Sequence, residues 1–483
     1  MTADDPQHRP RSHHGHGKHG HNHGHAARRV PSNATGGSTS GGDLPEIGYP
    51  RGHIGHLSED EEKAFAEFKA YIAEQGVYKP GPPPSHDDPT LLRFLRARRW
   101  VVLDAYKQFK ETEDWREANQ LDVLYDSIDL DAYEQSRRLY PQWTGRRDRR
   151  GIPLYLFEIR HLDSKTIANY EKTAEATYSR AHTDGKTPPK LLRLFALYEN
   201  LTRFAQPLCT ELTDRDHSNV PITLSTNIVD VSQVSLKQFW NLKGHMQAAS
   251  QLATAHYPET LDRIFIIGAP FFFSTVWGWI KRWFDPITVS KIFILAHHEV
   301  LPTLRTFIDV RNIPKQYGGE LDFSWGEMPN LDPNIVEAVS WENGHTAFPK
   351  GPVYWRPLDD DTLECVAVGS VEQKERMERV GTIRKTYRGP FAKVPEDEEV
   401  VEAAEQKKEQ EDEPKPAVTT GVETSVTDAK TEAKPAAEQT AAVNGEPTIT
   451  EVQGVQNLSI QDDNEKKEQK EAETVAPAQA PVA

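Results

Sequence analysis

Hydrophobic and polar residues follow two different rhythms along this chain, and the change of rhythm outlines its elements. From Leu57 to Trp115 apolar positions recur every three or four residues, as on one face of a helix. Phe65, Phe68 and Ile72 follow a Ser58 and Glu61 capping-box pattern. Leu91, Leu92, Phe94 and Leu95 follow Asp88 as cap and Pro89 at the first helical position, and Tyr106, Phe109 and Trp115 follow Trp100. Three helices are predicted, the first two separated by the breaker KPGPPPSHDD. Beyond Tyr140 the period drops to two. Pro153 to Ile159 alternates like a strand after the polar turn GRRDRRG, and Ile222 to Val231, Arg263 to Ile267 and Thr306 to Val310 read as further strands. Helical stretches around Ile167 to Tyr178, Leu191 to Phe204 and Leu236 to Leu252 lie between them, so an α/β layered fold is expected.

One stretch obeys neither rhythm. After the turn Gly268-Ala269-Pro270, residues Phe271 to Phe284 have helix length but carry apolar side chains on every side. Such a helix must be buried or meet lipid. Phe273, Val276, Trp277 and Ile280 share one face, while Trp279 and Trp283 point elsewhere beside Lys281 and Arg282, a pairing suited to a membrane-water interface. The uncharged run Ile264 to Ile280 is shorter than the ~20 residues of a span and is broken by its turn. A plain core helix competes with a movable lid over an apolar pocket, and the lid is the reading adopted. Its gate helix comprises Phe271, Phe272, Phe273, Val276, Trp277, Trp279, Ile280, Trp283 and Phe284, with a second helix opening at Asp285-Pro286.

Composition changes this picture mainly at the ends. A length of 483 residues allows three domains, but residues 1–50 are His, Gly, Ser and Pro with almost nothing apolar, and residues 395–483 lack aromatics and cysteine. Both tails are expected to be disordered. From Pro395 onward 22 acidic residues face 8 basic ones, a net of −14, so nearly all of the chain's −16 sits there and the folded part is close to neutral. A nucleic-acid-binding domain would want a basic surface, so no nucleic-acid partner is expected. Cys209 and Cys365 stand alone and far apart, which supports neither a disulfide framework nor a zinc ribbon. With no apolar signal region and no prenylation box, a cytoplasmic protein that visits membranes is expected.

Several charged stretches invite chemistry. His8, His13, His14, His16, His19, His21, His23 and His25 could take up Zn or Ni ions weakly and turn polybasic in acid, but no geometry fixes ligands and a solvated tail without an assigned metal is preferred. Arg93, Arg96, Arg98 and Arg99 form the polar side of the second helix, a row that usually faces solvent. Arg379 to Lys393 carries five cations and no acid, and is either a linker or a strip against anionic lipid. Tyr178 to Lys190 reads as a surface insertion; its Gly185-Lys186-Thr187 fails as a phosphate loop because Arg180 stands where the first Gly belongs. His298-Glu299 fails as a zinc-protease motif because of Pro302, and no GxSxG occurs. The expectation is a binding protein, not an enzyme, with no catalytic residue and no cofactor.

Four strings, LLRFLRARRW, HYPETLDRIFIIGAPFFFS, FDPITVSKIFIL and IPKQYGGEL, resemble the CRAL-TRIO lipid-binding family, specifically its yeast-type phosphatidylinositol and phosphatidylcholine transfer proteins. The likeness runs from Leu57 to Leu321, with a weaker echo to Arg356. It implies a mixed sheet with flanking helices and a gating helix, preceded by a small helical N-lobe. The expected divisions are a His-rich tail at 1–56, the N-lobe at 57–126, the lipid-binding domain at 127–325, a partly ordered extension at 326–394 and an acidic tail at 395–483. By the same resemblance Arg98, Glu259, Thr288 and Lys291 would hold a phosphatidylinositol head group. Tyr155, Tyr198 and Ser225 match the family's choline-lipid pocket, whereas Thr144 replaces a Tyr and Asn227 a Thr, which leaves the second ligand open. The family implies a monomeric carrier that presents inositol lipid to a phosphoinositide kinase, in transient contact with Golgi or endosomal membranes. A carrier of sterol, a hydrophobic vitamin or haem, and a membrane-targeting scaffold without transfer, are the alternatives.

Overall fold

The structure, a computed structural model, describes residues 49–283 and 286–387. The two tails beyond these limits and Phe284 of the gate helix lie outside the described residues.

The N-lobe is built as its apolar spacing requires. Helix α1 (Glu59–Glu74) carries the capping box: Glu61 N donates to Ser58 Oγ at 3.3 Å and Ser58 N donates to Glu61 Oε2 at 2.9 Å. Helix α2 (Asp88–Ala97) is capped one residue earlier than expected, by Asp87, which accepts from Thr90 N at 2.9 Å. With α3 (Val102–Ala118) these helices enclose Phe68, Ile72, Leu91, Leu92, Leu95 and Phe109. The arginine row is not a uniform solvated face. Arg93 is buried and Arg96 reaches back to Gly52 O at 3.1 Å, because α2 packs on two sides; only Arg98 and Arg99 are exposed.

Order also begins before Leu57. Ile54 joins the N-lobe core, while Tyr49 packs with Ile152, Cys209, Val220, Ile222 and Leu224 of the following domain. Tyr49 Oη donates to Val220 O at 3.2 Å and accepts from Arg215 Nη1 at 2.9 Å. Residues 49–56 therefore belong to the fold, where the sequence places them in the His-rich tail.

After α4 (Leu121–Ser127) and α5 (Leu130–Arg137) comes a mixed five-stranded sheet: β1 (Gln142–Arg147), β2 (Pro153–Glu158), β3 (Ser225–Asp230), β4 (Leu261–Ile267) and β5 (Ile292–Ile294), ordered β1-β2-β3-β4-β5. The first pair is antiparallel and the rest are parallel. Parallel neighbours need long crossovers. Between β2 and β3 run α6 (Ser164–Ala174), α7 (Pro189–Asn200) and α8 (Gln206–Glu211); α9 (Leu236–His256) joins β3 to β4. The last crossover, from β4 to β5, contains α10 (Phe273–Ile280), a 3-10 turn (Lys281–Trp283) and α11 (Pro286–Ser290). The gate helix is thus shorter than its apolar run, and it is itself a crossover. Thr306 to Val310 is not a strand: α12 (Val300–Phe307) places Val300, Leu301, Leu304 and Phe307 on one face against β4, and β5 takes the sheet edge.

The extension is more ordered than the sequence suggests. After α13 (Pro333–Ala338), strands β6 (Val339–Trp341), β7 (Val353–Pro357), β8 (Thr362–Ala367) and β11 (Glu378–Arg384) form an antiparallel sheet ordered β6-β11-β8-β7, with β9 (Ser370–Val371) and β10 (Lys374–Glu375) as a side hairpin. Phe348 and Trp355 pack with Trp143 and Phe204, so this sheet shares a core with β1 and the α7 to α8 segment. Arg379 sits in β11 and pairs with Glu364 at 2.6 Å, which removes the front of the basic stretch from any free linker. Among the described residues no helix is long and apolar enough to cross a membrane.

Candidate functional site

A cavity of about 630 Å³ lies between the sheet, α9, the crossover carrying α10, and the corner joining α2 to α3. This volume is within the usual range for enclosed ligands, about 300 to 1,000 Å³. Its floor follows from strand alternation: side chains two apart share a face, and parallel register sets them in rows. Tyr155, Asn227, Ile264 and Ile292 form one row across four strands, and Phe157, Val229 and Ile266 form the next. The intervening Ile228 faces the opposite side, in the core shared with α12.

The roof is the lid. Phe273, Trp277, Ile280 and Trp283 line the cavity, and Val276 packs with Phe273, Val231, Val234 and Ile266. Trp283 therefore faces inward rather than away, because the 3-10 turn after Ile280 rotates the chain. Trp279 points out of the cavity and meets Trp240 of α9 edge-on, ring centres 5.7 Å apart. Phe272 is half-buried at the helix start, and Phe271 is 97% exposed.

All four expected head-group residues, Arg98, Glu259, Thr288 and Lys291, line this cavity. Lys291 Nζ lies 3.1 Å from Glu259 Oε2 and donates to Leu261 O at 3.1 Å. The backbone of Lys291 is pinned at both ends, N to Thr288 O at 3.1 Å and O to Ile264 N at 3.0 Å. Glu259 adopts φ +54°, a costly conformation for a non-glycine residue that is often found where a site must hold a side chain in place. A lysine and an arginine beside a carboxylate and a hydroxyl can meet a phosphate and the hydroxyls of a sugar-like ring.

Tyr155, Tyr198, Ser225 and Asn227 line the same cavity. Ser225 Oγ donates to Thr260 O at 3.0 Å and accepts from Asn227 Nδ2 at 3.0 Å, while Tyr155 Oη is buried without a hydrogen bond. Burial pushes the Tyr198 hydroxyl up to about 12. Thr144 is the exception among the expected residues. Its hydroxyl donates to Leu154 O at 3.0 Å within the hairpin and it does not line the cavity. The cause is a bulge: the β1–β2 register shifts between Trp143 and Arg147, where Gly145 takes φ +86°.

Sequence reasoning missed other lining residues. Gln108 donates to Thr254 O at 3.0 Å and Ala255 O at 2.8 Å, and α9 contributes Lys243, Met246, Ser250 and Thr254 at helical spacing. That stripe was legible as a periodicity but carried no motif. Behind the wall, Arg116 grips Glu199 at 2.7 and 3.0 Å and the Tyr257 hydroxyl donates to the same carboxylate. Burial pushes the Glu199 carboxyl up, but the Arg116 guanidinium overcomes it and holds the group down to about 2. Cys209 is buried and its thiol is pushed up to about 12, the opposite of an activated nucleophile. Among the described residues no group of His, Cys, Asp or Glu is placed to hold a metal.

Family comparisons agree with this architecture. Residues 137–319 match the CRAL/TRIO domain and residues 56–111 match the CRAL/TRIO N-terminal domain. A CRAL-TRIO domain-containing protein of Saccharomyces cerevisiae is 30% identical over 57% of this chain and 84% of its own length. A SEC14 cytosolic factor of Eremothecium gossypii is 28% identical over 62% of this chain and 88% of its own. A phosphatidylinositol/phosphatidylcholine transfer protein of Arabidopsis thaliana is 30% identical over 58% of this chain and 46% of its own. With its N-terminal helices, its mixed sheet and its lidded cavity, this chain belongs to the CRAL/TRIO family.

Proposed function

We propose that this protein binds phosphatidylinositol, exchanges it between membranes and presents it for phosphoinositide synthesis. The observation that carries the reading is the gathering of Arg98, Glu259, Thr288 and Lys291 on an apolar cavity roofed by an aromatic lid. Two acyl chains of some sixteen carbons each represent on the order of 25 kcal/mol against water, at ~0.8 kcal/mol per methylene. Only an enclosed apolar space can offset that. Because pocket and bilayer solvate the chains comparably, exchange is close to neutral and lid opening sets its rate.

The displacement of Thr144 from the cavity supports a second ligand other than phosphatidylcholine, since the choline end lacks a side chain there. Lipid extracted from the purified protein and identified by mass spectrometry, together with vesicle transfer of inositol and choline lipids, tests both points. Lys291→Ala should lower inositol-lipid transfer about tenfold or more, the scale of one lost charged contact. If the unaltered protein neither holds nor moves inositol lipid, the head-group assignment is wrong, and a sterol, hydrophobic vitamin or haem found in the extract would replace it.

A further inference from the structure

Of the residues lining the cavity, those exposed at the surface are Arg98, Arg99, Val101, Asp104 and Thr254. Four of the five belong to the corner between α2 and α3. The cavity therefore meets solvent on the N-lobe.

That corner has an uncommon build. Arg99 and Trp100 both adopt positive φ, 51° and 65°, a conformation few non-glycine residues take singly and fewer in succession. Backbone bonds hold it: Arg99 N to Arg96 O at 3.1 Å, Trp100 N to Leu95 O at 2.8 Å and Val101 N to Arg98 O at 3.0 Å. The turn directs Trp100 and Val102 toward the N-lobe core and leaves Val101 49% and Leu103 55% exposed. Val101 also occupies the cap position of α3, where a Ser, Thr, Asp or Asn would accept a backbone hydrogen bond, and it makes none. These two aliphatic side chains thus neither cap the helix nor fill the core. Beside them Arg98, Arg99 and Lys107 are exposed, with Asp104, which Lys107 approaches at 3.7 Å, within the first turn of α3 and Glu111 a turn beyond Lys107.

We propose that the α2–α3 corner is a membrane contact in its own right, with Val101 and Leu103 entering the apolar boundary of an anionic phospholipid bilayer while Arg98, Arg99 and Lys107 meet its phosphates. Exposed aliphatic residues ringed by cations have the chemistry of interfacial insertion, and the excess of positive charge selects an anionic surface. Docking there turns the cavity mouth toward the bilayer, so acyl chains pass between lipid and pocket without crossing water. The inference rests on the carrier reading above and adds to it the place where the N-lobe touches the membrane.

The test is co-sedimentation of the full-length protein with phosphatidylcholine vesicles containing about a fifth phosphatidylserine. Leu103 does not line the cavity, so Leu103→Asp should keep its co-purified lipid and its melting temperature. Its vesicle partition should fall about fivefold or more, with transfer falling alongside. Leu103→Ser should show a smaller loss of the same sign, which guards against misfolding of the Asp variant. Leu358→Asp, at a 42% exposed leucine of the extension, should bind vesicles as the unaltered protein does. Equal vesicle binding by both Leu103 variants and the unaltered protein overturns the proposal. If binding depends on Leu103 but no inositol lipid is carried, the corner stands and the cargo assignment falls.

Discussion

Glu199 lies behind the cavity lining and Glu259 on it, and each meets a cation, to different ends. Glu199 is buried, gripped by Arg116 through two hydrogen bonds and contacted by Tyr257. Glu259 is part buried on the cavity lining and meets Lys291 through a single 3.1 Å contact. A buried carboxylate whose lone pairs are filled by fixed donors cannot lose a partner cheaply. A part-buried pair joined by one contact contributes on the order of 1 kcal/mol, so its groups can be handed to a ligand at small cost to the fold. The same pairing of charges is therefore scaffold behind the lining and available for recognition on it, and the burial of the carboxylate and the number of its hydrogen bonds decide which.

The sharpest way to break this comparison is Glu199→Ala. Removing the buried carboxylate leaves the part-buried Arg116 with only the exposed Asp122 and takes an acceptor from Tyr257, which should cost about 3 kcal/mol in urea denaturation; a cost under about 1 kcal/mol would make the two pairs equivalent. Acid should act beside the same arginine. His256, stacked on Trp115 at 4.1 Å, is lowered by burial to about 4. Its folded value lies below the unfolded one near 6.5, so the unfolded chain binds more protons as pH falls. The stability it contributes is complete above about pH 6.5 and is lost toward pH 4, a change on the order of 3 kcal/mol. Glu199, also lowered relative to its unfolded value, removes more between about pH 4.5 and pH 2. Denaturation at a series of pH values should show the first decline made shallower in His256→Phe, with His53 and His245, also lowered by burial, supplying the rest; an unaltered decline would assign it to those two alone.

On the lining, Lys291→Ala should change stability by about 1 kcal/mol while inositol-lipid transfer drops, a separation Glu199→Ala cannot show. The smallest expected effect is at the lid. Aromatic pairs contribute about 0.5 to 1.5 kcal/mol, so Trp279→Ala, which removes the contact with Trp240, should speed lipid exchange about two- to tenfold with little change in melting temperature. Slower exchange in that variant would mean that this contact does not hold the lid shut.

What the sequence shows and hides follows from the range over which each signal acts. The capping box at Ser58 and Glu61 and the alternation through Tyr155 and Phe157 are local and are found where their spacing places them; the apolar run at the lid is local too, but only Phe273–Ile280 of it is α-helical. The head-group residues were brought by resemblance, and the fold collects them on one cavity. The failures are tertiary. Thr144 turns away because a bulge breaks the period of two, and the bulge is occupied by a segment nearly two hundred residues later: Asn330 N donates to Thr144 O and Asp332 N to Gly145 O, each at 2.9 Å. Arg93 is buried because α2 has two packed sides, and one helix's pattern cannot report its second neighbour. Thr306 to Val310 has the β-branched composition of a strand, yet its first residues complete the stripe of α12.

The segment at Tyr49 to Ile54 has a practical consequence for where this protein begins. It works as a clasp: Ile54 is fastened into one lobe and Tyr49 into the other, with Arg96 and Arg215 as its fixings. Family similarity starts at residue 56, just past it. A chain trimmed to that limit would uncover the apolar ground beneath Tyr49 and strip both arginines of an acceptor, loosening the joint between the lobes on which the cavity mouth is built. The limit of likeness falls inside the unit that folds.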